Sequence, residues 1–352
     1  MKVVASYTYV PIRRIDNGEG KNCIGVFLAN DPAMGGLVAV KEILKKDFPN
    51  AADYFREAEA MFHSEHRNVV PIRIACETDD RVCLVMKYYD RGSLAARIAN
   101  GPLSLKRALR DAQHILNGLG QIHAGRSVHL DIKPSNILFN QNDRPMIADF
   151  GQARRMGPLG YAPLPSRMYE TCVPPECFSD NLANEAADIY QAGQTIYCML
   201  NGYAVFSDQW NRFPSAAAFR DAVRSGRFPR RDGYLPHVPR SVRTIVNKAL
   251  SVDPDDRFEA AADFADALGN VGITHDWHTT ERPDGGYNWR TRRVDQPDVV
   301  AEMAKNGLRW NVSFFTERGG RRRRMAGGLS VTGLPRATAF SRLHQEFRAM
   351  EA

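Results

Sequence analysis

The spacing of the apolar residues changes twice along the chain, and this change limits the folds that the chain can adopt. In the first 90 residues the apolar residues come mainly in short runs typical of β-strands, around one helical interval. From about 93 to 269 they recur at helical spacing, interrupted by two polar stretches, 129–138 and 149–176. Strand-like runs return from about 270. The sequence therefore predicts a β-rich part, a helical part and a C-terminal unit.

The C-terminal unit, residues 270–352, mixes both kinds of pattern. Strands are predicted at "GGYNWRTRRV" and within "LRWNVSFFTERGGRRRRMAGGLSV", which turns at a Gly-Gly pair. Helices are predicted at "PDVVAEMAKNG" and at "LPRATAFSRLHQEFRAM", the latter with an apolar stripe of Ala339, Leu343 and Phe347. We expect either a small third α+β unit or an extension that packs on the preceding helices.

The net charge of +7 lies mostly in this C-terminal unit, which holds 14 basic and 9 acidic residues. Four consecutive arginines occupy positions 321–324. Neighbouring side chains in a strand point to opposite faces, so about two of the four would share a side. An acidic protein or a nucleic acid is a candidate partner for these arginines, and a solvated strand is the commoner explanation for such a run.

Length and residue usage indicate a globular protein with more than one domain. The chain has 352 residues, of which 43% are hydrophobic and 25% charged. No apolar run approaches the roughly 18–20 residues of a membrane span, and the first residues lack the apolar centre of a secretory signal. The 6 cysteines are scattered without a Cys-x-x-Cys pair. We predict a cytoplasmic protein with free thiols and no membrane span, and its oligomeric state is unknown.

Side chains of three chemical types lie close together in "HLDIKPSNIL", residues 129–138. Phosphoryl transfer from a nucleotide needs cations at the phosphates, carboxylate and amide oxygens for Mg²⁺, and a carboxylate that receives the incoming hydroxyl. Asp131, Lys133 and Asn136 provide all three chemical types within this stretch. Lys41 in "VAVKEI" precedes them and Asp149 in "IADFGQA" follows them. The order of these groups favours a nucleotide-dependent phosphotransferase.

In this order and spacing, residues 5–269 resemble a eukaryotic-type (Hanks-type) serine/threonine protein kinase. "VAVKEI" is similar to the family's Val-Ala-Ile-Lys strand, "HLDIKPSNIL" to its catalytic loop and "IADFGQA" to its Asp-Phe-Gly segment. The resemblance implies an α+β, bilobal kinase fold with a β-rich N-lobe (1–89) and a helical C-lobe (90–269). The small α+β extension (270–352) has no assigned role in it.

The resemblance also implies roles for the matching residues. Asp131 becomes the base that orients the substrate hydroxyl, and Lys133 neutralises the transferring phosphate. Glu57 becomes the ion-pair partner of Lys41, with Glu59, about 200° around the helix, as the neighbouring candidate. The implied catalytic set is Asp131, Lys133, Lys41 and Glu57, and the implied Mg²⁺ ligands are Asn136 and Asp149. The implied ATP contacts are Gly18, Gly20, Val26, Ala39, Lys41, Met86, Lys87, Tyr88, Tyr89 and Leu138.

Three further residues receive structural roles from the resemblance. Glu176 in "PPE" stands where the family has Ala-Pro-Glu and is expected to pair with Arg257 in "VDPDDRF". Asp188 in "ADIYQAG" is expected to brace the catalytic loop. These three residues are predicted to support the site without touching the nucleotide.

The chain departs from the family's pattern at three places. The Gly-rich stretch "GEGKNCIGVF" has Cys23 or Ile24 at the third Gly, depending on the end from which it is counted. Leu130 replaces the Arg that in many members precedes the catalytic Asp and binds a phosphorylated activation-loop residue, which makes this a non-Arg-Asp sequence. Tyr169 stands where the substrate-contacting Thr is expected, two residues before Thr171.

Two functions of different classes fit this sequence. The first is an active kinase that uses ATP and Mg²⁺ to phosphorylate Ser or Thr in protein substrates, without activation-loop phosphorylation. The alternative is a pseudokinase, a nucleotide-binding scaffold that acts through residues 270–352; the complete catalytic set disfavours it, and the irregular Gly-rich stretch supports it. A kinase of small molecules is a third option, which the Ala-Pro-Glu-like segment disfavours.

Overall fold

An antiparallel sheet forms the first part of the structure. The computed structural model describes residues 7–16, 24–33, 35–48, 50–166, 168–325 and 328–351. In this part of the chain the sheet has five strands in the order β1-β2-β3-β5-β4. The strands are β1 (Val10–Arg14), β2 (Gly25–Asp31), β3 (Gly36–Leu44), β4 (Ile72–Glu77) and β5 (Arg81–Lys87). The β-rich first part is therefore confirmed, and β4 is a strand that the sequence analysis did not identify.

Helix α1 (Arg56–His63) packs on this sheet, and its buried face differs from the predicted one. The helical interval in the sequence spaces Phe55, Ala58 and Phe62 so that they would share one face, which is the predicted buried face. In the structure Ala58 and Met61 are buried, whereas 67% of Phe62 is exposed. The prediction of Phe62 was wrong. The residues three and four positions after Ala58 both neighbour it on the helix surface, and packing buries Met61 at i+3 and leaves Phe62 at i+4 exposed.

Helices dominate the second part of the chain, as predicted. They are α2 (Leu94–Ile98), α3 (Leu105–Ala124), α4 (Glu185–Asn201), α5 (Tyr203–Trp210), α6 (Ala216–Arg224), α7 (Arg240–Ala249) and α8 (Ala261–Gly269). Helices α3 and α4 supply much of the buried apolar cluster of this part. Because α4 is buried along nearly all of its length, its polar residues face other protein groups, and several of them support the site described below.

Short paired strands lie in and next to the two polar stretches that interrupt the helices. They are β6 (Ser127–Val128), β7 (Ile137–Phe139), β8 (Pro145–Ile147), β9 (Arg154–Arg155), β10 (Ala162–Pro163) and β11 (Leu182–Ala183). Strands β7 and β8 form the small hairpin expected between Asn136 and Asp149. Strand β6 pairs with β9, and β10 pairs with β11. The two polar stretches are thus joined to each other and to the helical part by backbone hydrogen bonds.

The C-terminal unit is a second antiparallel sheet, covered by one helix. Its elements are β12 (His278–Glu281), β13 (Tyr287–Thr291), β14 (Asp298–Asn306), β15 (Arg309–Arg318), β16 (Arg321–Arg324), β17 (Ser330–Leu334) and α9 (Arg336–Glu351). The strand order is β12-β13-β14-β15-β16, and β17 pairs with β15. Gly319 and Gly320 both have positive φ at the β15–β16 turn, as the sequence indicated. Ala339, Leu343 and Phe347 form the buried stripe of α9.

The helix predicted at "PDVVAEMAKNG" was wrong, because this segment is strand β14. Its Ala, Glu, Met and Lys residues favour a helix in isolation. In the sheet, Val299, Ala301 and Met303 alternate onto the buried face opposite Thr316, Phe314 and Val312 of β15. Burial of this alternating face outweighs the modest helix propensity, since propensity differences amount to only about 0.7 kcal/mol per residue.

The C-terminal unit packs on the helical part through specific polar contacts. Asp276 Oδ1 accepts a hydrogen bond from the Lys106 backbone N–H at 2.9 Å, and its Oδ2 accepts one from Ser104 Oγ at 3.2 Å. These atoms lie at the N-terminus of α3, where backbone N–H groups lack intrahelical acceptors. Asp276 therefore caps a helix that lies 170 residues earlier in the chain.

His237 is the second polar contact between the helical part and the C-terminal unit. Its Nδ1 accepts from Trp289 Nε1 at 3.0 Å, and its Nε2 lies 3.4 Å from Thr279 Oγ1. Burial lowers the pKa of His237 to about 3, so the ring is neutral at physiological pH. The neutral tautomer with a proton on Nε2 satisfies both contacts, which matches a permanently packed interface.

The predicted class, a bilobal α+β fold with a C-terminal α+β extension, is confirmed. The buried residues of the helical part and of the C-terminal unit belong to one apolar cluster. In the described residues no helix combines the length and the apolar character that a membrane crossing would need.

Candidate active site

An ion-pair triad, of which Lys41 and Glu57 are largely buried, lies between the first sheet and the stretch that follows the β7–β8 hairpin. Lys41 is on β3, and its Nζ lies 2.8 Å from Glu57 Oε1 and 2.7 Å from Asp149 Oδ1. Burial alone would lower the pKa of Lys41, but the Asp149 and Glu57 carboxylates outweigh it and raise the pKa. Lys41 therefore remains a cation, and Glu57, not Glu59, occupies the position next to it.

The catalytic-loop residues form a second cluster, in which Asp131 is central. Asn136 Nδ2 donates to Asp131 Oδ2 at 2.8 Å and to the Asp131 carbonyl oxygen at 2.9 Å. Lys133 Nζ lies 3.0 Å from the same Oδ2. Burial raises the pKa of Asp131, and the Lys133 ammonium opposes that effect. The carboxylate is thus held in one orientation by an amide and a cation while its other oxygen, Oδ1, has no hydrogen-bond partner among the described residues.

Asp149 reaches into the cleft from an unusual backbone conformation. Its φ is +63°, a left-handed conformation that Asp tolerates better than most residues. The Lys41 ammonium lowers the pKa of Asp149, so the carboxylate stays charged. About 47% of its side chain remains exposed, although Oδ1 is paired with Lys41. The exposed carboxylate is therefore available to a cation or a ligand in the cleft.

The donor set of Asn136 and Asp149 fits the predicted Mg²⁺ site. The Asn136 NH₂ group is committed to Asp131, which leaves its carbonyl oxygen as the atom that is able to ligate a metal. Asp149 Oδ2 accepts no hydrogen bond from the described residues. Hard cations such as Mg²⁺ prefer one or two such oxygen ligands, completed by phosphates and water.

Four of the predicted ATP contacts share one face of the first sheet. Val26 on β2 lies opposite Lys41, and Ala39 on β3 lies opposite Met86 on β5. Because side chains alternate along strands, this register places Val26, Ala39, Lys41 and Met86 on the same side. Met86 is 9% exposed, as a residue at the back of a pocket would be.

The remaining predicted contacts lie at the end of β5 and in the β7–β8 hairpin. The β3–β5 ladder ends at Lys87, so Tyr88 and Tyr89 follow the last paired residue. Leu138 is half-buried and is joined to the chain after β5 by an isolated bridge with Ser93. Gly18, Gly20 and Cys23 lie outside the described residues.

Asp188 supports the catalytic loop from the fully buried face of α4. Its carboxylate accepts hydrogen bonds from the backbone N–H groups of His129 at 2.8 Å and Leu130 at 2.7 Å, and from His123 Nε2 at 2.9 Å. Leu130 has φ +61°, a conformation that costs about 1 kcal/mol or more for this residue type. Asp188 stabilises this strained turn, which aims Asp131 into the cleft.

Gln191 is a supporting residue that the sequence analysis missed. Its Oε1 accepts from the Ile132 N–H at 2.9 Å, and its Nε2 donates to the carbonyl oxygens of Leu130 at 3.1 Å and Cys172 at 3.0 Å. It therefore joins the catalytic loop to the end of the 149–176 stretch. A signal was present, because Gln191 lies three residues after Asp188 and so on the same helix face.

The predicted Glu176–Arg257 pair is present. The two Arg257 terminal nitrogens lie 2.8 and 2.7 Å from the two Glu176 carboxylate oxygens, and the Arg257 side chain is fully buried. Arg257 also donates to the carbonyl oxygens of Ala186, Ser251 and Val252. Such a bidentate, fully satisfied pair anchors the segment after the 149–176 stretch to the helical part.

Leu130 has an apolar environment on the far side of the catalytic loop. It is 1% exposed and belongs to a cluster with Val128, Met156, Ala162, Ala183 and Ala187. Leu164, Met168 and Cys177 pack against the cluster. Much of this cluster comes from the 149–176 stretch. Leu130 therefore packs on this stretch through apolar contacts, whereas the Arg that many family members have at this position interacts with it through its charge.

Tyr169 lies beside Lys133 of the catalytic loop, whereas Thr171 is buried. Lys133 Nζ is 4.4 Å from the centre of the Tyr169 ring, a distance suited to a cation–π contact. Thr171 is 7% exposed, and its carbonyl oxygen accepts from Gln194 Nε2. Tyr169 thus contacts Lys133 through its ring at the position where the family has a Thr hydroxyl.

The chemistry of these groups is directed at a phosphate and a hydroxyl. Lys41 is a cation paired with Asp149, and Lys133 is a cation next to Asp131, which Asn136 also contacts. Asp131 is a carboxylate held next to Lys133. Positioning and charge stabilisation of this kind are what in-line phosphoryl transfer requires.

Comparisons with known proteins agree with this geometry. The family model "Protein kinase domain" matches residues 14–266. The chain is 32% identical over 259 residues to serine/threonine-protein kinase PrkC of Bacillus subtilis, covering 72% of this chain and 39% of that protein. It is 25% identical over 280 residues to serine/threonine-protein kinase PknJ of Mycobacterium tuberculosis, covering 75% and 46%. It is 28% identical over 272 residues to calcium/calmodulin-dependent protein kinase type 1 of Caenorhabditis briggsae, covering 72% of each. The aligned part thus spans less than half the length of the two bacterial relatives.

Proposed function

The chain belongs to the protein kinase domain family, and from this premise we propose that it transfers the γ-phosphate of ATP to Ser or Thr hydroxyls of protein substrates. The observation that carries the proposal is the contact chain from Glu57 through Lys41 to Asp149, beside the Asp131–Lys133–Asn136 cluster. The similarity to serine/threonine kinases supports Ser and Thr as acceptors. Lys at the second position after Asp131 agrees with this acceptor class.

In the proposed reaction, Asp131 accepts the hydrogen bond of the substrate hydroxyl and orients its oxygen toward the γ-phosphorus. Lys133 lies next to Asp131 and neutralises charge on the transferring phosphoryl group. Lys41, held by Glu57, positions the phosphates of the nucleotide. Mg²⁺ held by Asp149 and Asn136 would offset negative charge on the phosphate oxygens.

The alternative, a nucleotide-binding scaffold without transfer activity, has less support. A scaffold has no need of a base oriented by two partners, whereas Asp131 is contacted by both Asn136 and Lys133. We also propose three further points: that the chain divides at residues 89/90 and 269/270, that the substrate is a protein, and that the location is cytoplasmic.

A transfer assay tests the proposed function directly. The full chain is incubated with [γ-³²P]ATP, Mg²⁺ and a generic protein substrate, and the labelled residues are identified by mass spectrometry. We expect label on Ser or Thr and none when EDTA removes the metal, because the phosphate oxygens then lack their cation. A chain that binds ATP and transfers nothing would favour the scaffold.

We further propose that activity does not depend on phosphorylation of the 149–176 stretch. Leu130 packs in an apolar cluster with Met156 and Ala162, and this packing needs no phosphate. The β6–β9 and β10–β11 pairs hold the same stretch through backbone hydrogen bonds. Arg126 adds a hydrogen bond to the Gly157 carbonyl oxygen at 2.9 Å. Apolar packing and backbone pairing would thus order the segment in place of a phosphate–arginine contact.

Phosphatase treatment is expected to leave the transfer rate unchanged within about twofold. Mass spectrometry should follow the hydroxyl side chains between 154 and 171, which are Tyr161, Ser166, Tyr169 and Thr171. A kinase with Arg before its catalytic Asp, treated in parallel, shows that the phosphatase is effective. Loss of activity that coincides with removal of phosphate from one of these four residues would contradict the proposal.

A further inference from the structure

A crevice separates helix α7 of the helical part from helix α9 of the C-terminal unit. Its volume is about 290 Å³. The α7 side contributes Arg240, Ser241 and Arg243, and the α9 side contributes His344 and Arg348. Val238, Pro239 and Phe347 form an apolar part of its wall. None of these residues belongs to the candidate active site, so the crevice is a separate feature of the molecule.

Three guanidinium groups line this crevice without carboxylate partners. In the described part of the chain, Arg240, Arg243 and Arg348 form no ion pair. Arg243 instead lies 2.7 Å from His344 Nε2, while His344 Nδ1 is 3.1 Å from the Pro236 carbonyl oxygen. This arrangement requires a neutral His344 that accepts from Arg243. Within the residues that the structure describes, no carboxylate is therefore paired with these three positive charges.

One acidic residue, Glu351, also lines the crevice. Its two carboxylate oxygens accept hydrogen bonds from the backbone N–H groups of Thr274 and His275, each at 3.3 Å. The carboxylate is thus directed to the chain before β12 and not to the three arginines. Charge in the crevice remains positive overall.

The environment of these groups disfavours the unbalanced positive charge. Arg243 Nε is buried and has no hydrogen-bond partner among the described residues. Burial lowers the pKa of Arg243, and the nearby Arg240 lowers it further. Burial also lowers the pKa of His344, and Arg243 and Arg348 add to that effect. Unbalanced like charges around a buried, unsatisfied donor are relieved when an anion enters.

Two further features describe the anion that would fit. Guanidinium groups bind phosphate and carboxylate oxygens in a bidentate manner, and three of them suit a doubly charged group better than a carboxylate. The volume of about 290 Å³ is at the lower end of the range for ligand pockets, and Pro239, which is partly exposed, offers apolar contact to an organic group.

We propose that the crevice between α7 and α9 is a binding site for a phosphate monoester, carried by a small molecule or by a phosphorylated side chain. The phosphate would contact Arg240, Arg243 and Arg348, and its organic part would lie against Pro239. Because the cations come from both units, the bound phosphate would join the C-terminal unit to the helical part. The site is independent of the proposed transfer activity.

Binding to the full chain without nucleotide tests this proposal. Glycerol 3-phosphate, a phosphoserine peptide and its unphosphorylated form are titrated by calorimetry at matched ionic strength, and thermal unfolding is recorded with each probe. The test variant is Arg240→Gln/Arg348→Gln, since both residues are exposed and their loss should not prevent folding. Arg342→Gln is the matched control, because Arg342 is an exposed arginine of α9 that does not line the crevice.

We expect saturable binding of at least one phosphorylated probe, a higher unfolding temperature with that probe, and no binding of the unphosphorylated peptide. Affinity should fall about tenfold for each cation removed, and the Arg342→Gln control should bind as the original chain does. Binding of the phosphoserine peptide without binding of glycerol 3-phosphate would identify a phosphorylated side chain as the ligand. Binding of glycerol 3-phosphate without binding of the phosphoserine peptide would identify a small molecule as the ligand. The proposal is overturned if neither probe binds, or if the double variant binds as tightly as the control.

Discussion

Replacement of Asp131 by Asn is expected to lower the rate of phosphoryl transfer by about 10²–10⁴-fold, the range found when a general base is removed. The amide has the shape of the carboxylate but cannot take the proton of the substrate hydroxyl. Contacts to Asn136 and Lys133 change least with this substitution, because an amide oxygen still accepts hydrogen bonds. Transfer of ³²P from ATP to a protein substrate measures the effect.

Asp79→Asn is the matched control for this variant, since Asp79 is an exposed residue between β4 and β5, away from the cleft. The control should transfer phosphate at the original rate. Asp131→Asn should bind Mg²⁺-ATP with nearly unchanged affinity, because the proposed partner of Asp131 is the acceptor hydroxyl and not the nucleotide. Transfer at the original rate in Asp131→Asn would show that Asp131 is not the base.

Replacement of Asp149 is expected to abolish measurable transfer and, unlike the Asp131 variant, to weaken nucleotide binding in the presence of Mg²⁺. A metal ion contributes several kcal/mol of charge stabilisation in such a site, so losing its main ligand should cost about 10²–10³-fold or more. The change also leaves Lys41 with a single carboxylate partner, Glu57. Titration with a fluorescent ATP analogue, with and without Mg²⁺, separates this binding defect from the transfer defect.

Asp149→Asn should be compared with Asp149→Ala in the same assays. Ala at φ +63° carries backbone strain that Asn largely avoids, so an effect common to both variants reflects the lost carboxylate. Thermal unfolding checks that both proteins fold. If Mg²⁺ changed nucleotide binding in both variants as much as in the original chain, Asp149 would not be a metal ligand.

The two wrong or incomplete helix predictions have a common physical origin. Segment 297–307 has the composition of a helix, yet it lies in the centre of the second sheet as β14. Phe62 belongs to an apparent apolar stripe, yet 67% of it is exposed. In both cases local propensity is worth tenths of a kcal/mol per residue, whereas burial of a side chain is worth about 1.5–3 kcal/mol. Burial depends on neighbours that are remote in sequence.

β4 could have been predicted from the sequence. Along Ile72–Glu77 the side chains alternate between half-buried and exposed, which is the period-two pattern of a strand with one face on a core. Gln191 was also accessible, since it follows the predicted brace Asp188 by one helical turn. The crevice between α7 and α9 could not be predicted, because the residues that line it lie about 100 positions apart in the chain, as Arg243 and His344 do.

The sequence by itself determined the fold class and the order of the chemical groups, from Lys41 through Asp131, Lys133 and Asn136 to Asp149. It could do so because each motif is local, and its residue types are dictated by the phosphate, the metal or the hydroxyl that it would serve. Only the tertiary structure decided that Glu57 and not Glu59 meets Lys41, and that Leu130 packs on the 149–176 stretch. These outcomes depend on how a helix is rotated and which segments meet, and such choices are made by packing between residues far apart in the chain.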